Sequence, residues 1–317
     1  SNSRRSDMRD GTTLPAATGP ATTTDTTRAL VIGLVAVTFF AAGVPMTRLA
    51  TGSVDAPQLP AAFVGFGRGV VGGLVAVGYL LATRAPFPDR MARLPLAIIA
   101  AGSVVGFPLA MSLALRHVES THVSAMLGIG PLLTAVAASR MDRRPQPRRF
   151  WVTAGAGSLL VAAFPFVKAR GNLGDVGYAD GILIGALAFS TIAIVHAGRL
   201  ARMMSAAHVT AWSCAFALPA TLGLAALTWP EAPVAPASWL GVVGVGIGTV
   251  WIGSLLWYRA LALGGTTRTS QLVLVQPLIG LGFAVAILGE AIDVITLGFG
   301  IAIIGIVFVG RRLASQG

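Results

Sequence analysis

The chain has 317 residues, 55% of them hydrophobic and only 11% charged, with a mean hydropathy of +0.78. A soluble domain carries about 25% charged residues, so this balance excludes an ordinary soluble globular protein and points to a chain that crosses a membrane repeatedly. The net charge of +11 does not mark a nucleic-acid binder, because the arginines lie in short gaps between apolar runs without interleaved aromatics.

Residues 1–28, rich in Thr, Ala, Pro and charge, predict a disordered cytosolic tail. The apolar run behind it is longer than the roughly 7–15 residues of a secretory h-region, so it reads as a span and not as a signal peptide. This first span, 29–49, carries Phe39-Phe40-Ala41-Ala42-Gly43 and Pro45. The second, 60–82, holds Arg68 about a third of the way in. An arginine at that depth costs about 2.5–3.5 kcal/mol on insertion scales, so it faces protein or water and not lipid. It either attracts an anionic or carboxylate-bearing substrate or bonds structurally to helix-end carbonyls.

The third span, 94–115, contains Pro108; the fourth, 121–139, contains Gly130-Pro131; the fifth is 150–167. The sixth, 180–198, carries Ser190 and Thr191, whose hydroxyls bind substrate or back-bond within the helix. The seventh, 207–228, holds Trp212 and the single cysteine, Cys214, which excludes a disulfide framework and a CxxC metal site. In the eighth, 238–258, Trp251 and Tyr258 are seven apart and so share a helix face, although an aromatic belt also accounts for Tyr258. The ninth, 268–289, is interrupted by Gln276-Pro277. The glutamine either satisfies the carbonyl that the proline frees or contacts substrate. The tenth is 292–310. Lipid demands that backbone groups pair within their own segment, so the spans are helices. No ten-residue alternation of a transmembrane barrel is present.

Arginine and lysine set the expected orientation. The tail, the even-numbered loops and the C-terminus hold 18 of them, among them Arg84, Arg93, Arg144 and Arg202, against four (Arg48, Arg116, Lys168 and Arg170) in the odd-numbered connections. The positive-inside rule then puts both termini in the cytosol, in a multi-pass protein of the cytoplasmic (inner) membrane. On this topology Glu290, at the end of the ninth span, emerges outside at the start of the tenth helix, where the helix dipole favours a carboxylate. It marks a boundary and is not a proton carrier.

Segment 114–138 can be laid on 260–284 without a gap, and seven of the 25 positions are identical, including Pro131 with Pro277 and Ser124 with Ser270. VIGLVAV at 31–37 is also matched by LIGALAF at 183–189. The chain therefore divides into two five-helix repeats, 29–168 and 169–317. Five is odd, so the second repeat enters the membrane inverted, an arrangement of secondary transporters with a midplane site between the halves.

The block WYRALALGGTTRTSQLVLVQPLIGLGFAVAILGEAIDVITLGFGIAIIGIVFVG, at 257–310, resembles the EamA-type branch of the drug/metabolite transporter superfamily. An aromatic pair before an Ala-Leu turn, a mid-helix proline, the Leu288-Gly289-Glu290 turn and a Gly-rich last helix carry the resemblance. FVGFGRGVVGGL and LALRHVESTHVSAMLGIGPLL match more loosely in the first half. The resemblance implies an all-α polytopic protein of ten helices, with one to four and six to nine around a central cavity and five and ten peripheral. It also turns the Trp251–Tyr258 face inward. The chain departs from the pattern where SRMDRRP, with Arg144, replaces a first-half LGE, and where the first helix lacks a Trp-Gly pair.

No GxSxG, HExxH or Walker sequence is present, the histidines lack metal spacing, and no carboxylate occupies the middle third of any span. The expectation is therefore a non-enzyme without cofactor or metal. It is a secondary transporter of small organic metabolites, amino acids or related compounds, by export and alternating access without a central acid. A multidrug or organic-anion exporter and a non-transporting scaffold or sensor remain open. The expected partners are a small-molecule substrate and the bilayer, not nucleic acid, with monomer and homodimer both open. Candidate substrate contacts are Phe40, Arg68, Ser190, Thr191, Trp212, Trp251, Tyr258 and Gln276; candidate hinges are Pro45, Pro108, Gly130, Pro131 and Pro277.

Overall fold

The computed structural model describes residues 23–118, 120–127, 130–142, 147–168, 177–289, 294–295, 297–302 and 305–306. Residues 1–22 of the expected tail, Arg144, Arg170, Glu290 and much of the tenth span lie outside the described residues. No β-strand occurs among the described residues.

The helices are α1 (Thr23–Thr51), α2 (Ala61–Ala82), α3 (Arg90–Ala114), α4 (described over Ser120–Met126 and Gly130–Asp142), α5 (Arg148–Lys168), α6 (Tyr178–Leu200), α7 (Ala206–Leu227), α8 (Pro236–Gly264) and α9 (Thr266–Leu288). Seven of these, all but α4 and α5, are long and apolar enough to cross a membrane. The protein is thus an all-α, polytopic membrane protein. α1 starts at Thr23, which corrects the expectation of a disordered tail to residue 28. Asp25 lies in its first turn, where a carboxylate complements the helix dipole. α7 is capped by Ser205, whose hydroxyl accepts from the His208 backbone N–H at 3.1 Å. α9 stops at Gly289, the middle of the Leu-Gly-Glu turn, with φ of +67°, a left-handed conformation that glycine adopts at no steric cost.

Two helices widen in the same way. α3 is π-helical over Ala100–Gly106 and α8 over Gly246–Gly253. In α3 the Phe107 N–H reaches back five residues to the Gly102 carbonyl, just before Pro108, which has no N–H of its own to give. In α8 the Ser254 N–H reaches the Thr249 carbonyl, which also accepts from the Ser254 hydroxyl at 3.1 Å. A third irregularity is the 3₁₀ turn Ser270–Val275 in α9, after which the α-helix restarts at Gln276.

α2 is the most enclosed of the seven membrane-length helices among the described residues. Its glycines let neighbours approach closely: a Cβ on Gly65 would lie 2.7 Å from the Leu109 Cα, and one on Gly72 would lie 2.5 Å from a Val250 methyl. Without an aqueous driving force between helices, such close packing of small residues holds a membrane bundle together. α2 runs along α7, α1 along α8 and α9, α3 along α6, and α4 against α6 and α9. Outward-facing Leu74, Leu159, Leu222 and Leu240 are exposed, as a lipid-facing surface requires.

The buried apolar groups fall in layers. At the end where α1 and α3 begin, Val37, Ile99, Leu200, Val209, Leu261 and Leu272 join six helices in one cluster. At the opposite end the core is divided, one part around Leu115, Val123 and Leu183 and the other around Leu59, Phe63 and Val242.

Candidate substrate cavity

Between these layers lies a cavity of about 150 Å³, lined by α1, α2, α3, α4, α6, α8 and α9. That is the volume of an apolar cavity known to admit a benzene-sized body. Its apolar wall comes from Phe40 and Val44 of α1, Met111 of α3 and Leu187 of α6. Trp257 and Tyr258 belong both to the lining and to the six-helix cluster, and so form its floor. Phe40 meets Trp257 edge-on at 6.0 Å.

Arg68 enters from α2. It is 4% exposed, and its Nη2 donates to the Thr249 hydroxyl, while its Nε and Nη1 have no hydrogen-bond partner among the described residues. The Thr249 hydroxyl in turn donates to the Val245 carbonyl at 2.8 Å. Ser103 and Ser254 stand at the Tyr258 hydroxyl. On α6, the Ser190 and Thr191 hydroxyls both donate to the Leu187 carbonyl, at 3.1 and 2.8 Å.

Six of the eight expected contacts lie on this lining: Phe40, Arg68, Ser190, Thr191, Tyr258 and Gln276. Trp251 and Trp212 do not. Trp251 lies within the π turn of α8 and Tyr258 in the regular helix after it; the wider turn breaks the 3.6-residue period, so the seven-residue spacing no longer means a shared face. Trp251 packs on Tyr79 with ring centroids 5.4 Å apart. Trp212 meets Phe87 of the α2–α3 connection at 5.1 Å. Tyr258, compatible with an interfacial belt on sequence grounds, is buried at the cavity floor.

Sequence reasoning passed over Trp257, Thr249 and Ser103. A signal was present: the shift that lays Ala114 on Ala260 also lays Ser103 on Thr249, Met111 on Trp257, Leu127 on Val273 and Gly130 on Gln276, and all eight line the cavity. Among the hinge candidates, Gly130 is on the lining, Pro45 lies inside α1, Pro108 follows the π turn, and Pro277 sits in the first turn of the restarted helix. Pro131 is the second residue of the described stretch Gly130–Asp142. His122, one of the histidines without metal spacing, is bonded through Nε2 to Asp180 Oδ1 at 2.7 Å and ties α4 to α6. Among the described residues no group of three His, Cys, Asp or Glu side chains could hold a metal ion.

A bundle of membrane-length helices around a partly polar internal cavity has the form of a membrane transporter. The chain belongs to the EamA-like transporter family, whose model matches residues 177–311. An uncharacterized transporter of Bacillus subtilis (strain 168), YdeK, is 34% identical over 295 residues, covering 92% of this chain and 99% of the relative. A crystal structure of a protein with 19% identity shares the fold, with a TM-score of 0.67 over 90% of this chain and 99% of that one.

Proposed function

We propose that the protein is a secondary transporter that moves small organic metabolites by alternating access, through ten helices arranged as two inverted five-helix repeats with both termini cytosolic. The observation that carries this reading is the cavity between the halves, closed at one end by a layer to which both halves contribute. The packing supports the inversion. Exchanging α1–α4 with α6–α9 turns the α1–α8 contact into α6–α3 and the α1–α9 contact into α6–α4, and it leaves α2–α7 and α4–α9 as they are; all of these contacts occur. The shift that relates the sequence repeats also places the start of one π segment, Ala100, on the start of the other, Gly246. The family model's match begins at Gly177, one residue before α6. Two similar halves can exchange conformations, so states open to either side have comparable energy.

In this reading Phe40, Arg68, Ser190, Thr191, Tyr258 and Gln276 contact substrate, joined by Trp257 and Thr249, while Pro45, Pro108, Gly130, Pro131 and Pro277 flank the bends that move. Small organic metabolites are the substrate class, and export the direction, of this reading. Coupling needs no central acid, since no carboxylate is among the described lining residues. A cysteine at Ser103 or Val44, in a Cys214→Ala background, tests the mechanism. Membrane-impermeant maleimide should reach it from either face of oriented vesicles, in proportions that shift when substrate is added. Labelling from one face only, unchanged by any substrate, would mean a fixed cavity and a sensor or scaffold.

A further inference from the structure

Arg68 presents an unusual electrostatic situation. The residue is 4% exposed and lines the cavity, its Nε and Nη1 have no partner among the described residues, and no carboxylate is among the described lining residues to balance it. Its one hydrogen-bond partner among the described residues is a neutral hydroxyl, that of Thr249. A purely structural arginine in a membrane helix would have its donors satisfied by carbonyls or a counter-ion, because an uncompensated charge at low dielectric is costly. The other polar groups are disposed differently. The Ser190, Thr191, Ser254 and Ser270 hydroxyls all donate to carbonyls of their own helices, which leaves Arg68 as the cationic donor.

We propose that the cavity selects monovalent organic carboxylates with a compact apolar body, the carboxylate pairing with Arg68 and the body lying against Phe40, Trp257 and Met111. This narrows the transport reading above and rests on it. Charge balance makes the selection. A monocarboxylate brings the occupied cavity to neutrality, and its bonds to the guanidinium are charge-assisted. A zwitterionic amino acid leaves the cavity with one positive charge. A dianion leaves one negative charge uncompensated. A neutral amide leaves Arg68 as it was.

The test uses the full-length protein in nanodiscs and three acids of increasing size, isovalerate, phenylacetate and indole-3-acetate, each with its primary amide, together with phenylalanine. Calorimetric titration should show at least one acid binding ten or more times tighter than its amide and tighter than phenylalanine. Arg68→Gln should abolish that preference, and Arg68→Lys should retain part of it. If Arg68→Gln does not fold, the acid–amide comparison on the unaltered protein decides alone. An amide equal to its acid, phenylalanine binding more tightly than every acid, or no binding by any acid would each overturn the proposal. Counterflow in proteoliposomes separates the two readings. Acid-selective binding without exchange leaves this inference standing and removes transport, whereas exchange of amides as fast as acids does the reverse.

Discussion

At the scale of single residues, polar side chains do two kinds of work in this protein. Arg48, at the end of α1, donates through Nη1 to the carbonyls of Leu115 and Val118 and so caps the C-terminal end of α3. Asp180 accepts from His122 through Oδ1 and from the Gly177 N–H at 3.1 Å through Oδ2, which holds the start of α6 against α4. Asp180→Ala removes the acceptor for both donors and should destabilise the protein by about 1–3 kcal/mol, read as a lower melting temperature in detergent. The glycines of α2 sort by surroundings. Gly65→Ala drives a methyl into the Leu109 backbone and should cost about 1–3 kcal/mol. Gly78→Ala, with nothing within 4 Å, should be neutral or stabilise by about 0.5–1 kcal/mol. Equal melting temperatures for the two variants would contradict the α2–α3 packing described above.

At the scale of elements, the irregular turns decide which side chains meet. The π segments of α3 and α8 bring Ser103 and Thr249 to the cavity and separate the faces of Trp251 and Tyr258. Periodicity in the sequence assumes a uniform 3.6 residues per turn, and a wider turn breaks that assumption without leaving an apolar or polar signature. For this reason Trp251 could be read as a cavity residue and Trp257 passed over. The proline readings meet a similar limit. Gln276-Pro277 looks like an interruption within one helix, yet a 3₁₀ turn precedes it and Pro277 occupies the first turn of the helix that follows. There its missing N–H costs nothing. Pro277→Ala should therefore change stability by less than about 1 kcal/mol. If the 3₁₀–α junction is a hinge, the same variant should slow turnover several-fold with little change in affinity, measured by proteoliposome flux alongside equilibrium binding. Unchanged turnover would remove the hinge role.

At the scale of the whole molecule, the proposed topology puts the α1–α2 and α7–α8 connections outside and the α2–α3 and α6–α7 connections inside. The first two connections meet one another. The Gln58 Oε1 accepts from the Ala235 N–H at 3.1 Å, and the rings of Phe63, Trp229 and Trp239 cluster at 5.3–5.5 Å. Single cysteines at Asp55 and Glu231 should be labelled from the exterior of intact cells, and those at Arg90 and Met203 only after permeabilisation. The reverse pattern would invert the orientation, and a mixture of the two would break the ten-span reading.

The sequence by itself determined the class of protein, an all-α chain that crosses a membrane several times. A membrane interior admits only apolar, internally bonded helices, and twenty-residue stretches of such composition are legible without knowing what they touch. It also holds the paired prolines and serines at one separation on which the proposed repeat rests. Which side chains share a cavity was decided only by tertiary structure. Arg68 and Thr249 lie far apart in the chain and meet because glycines let α2 sink against α8, and Trp257 faces inward because a wide turn precedes it. Such contacts arise from the relative rotation and depth of helices, and composition along one helix carries no record of either.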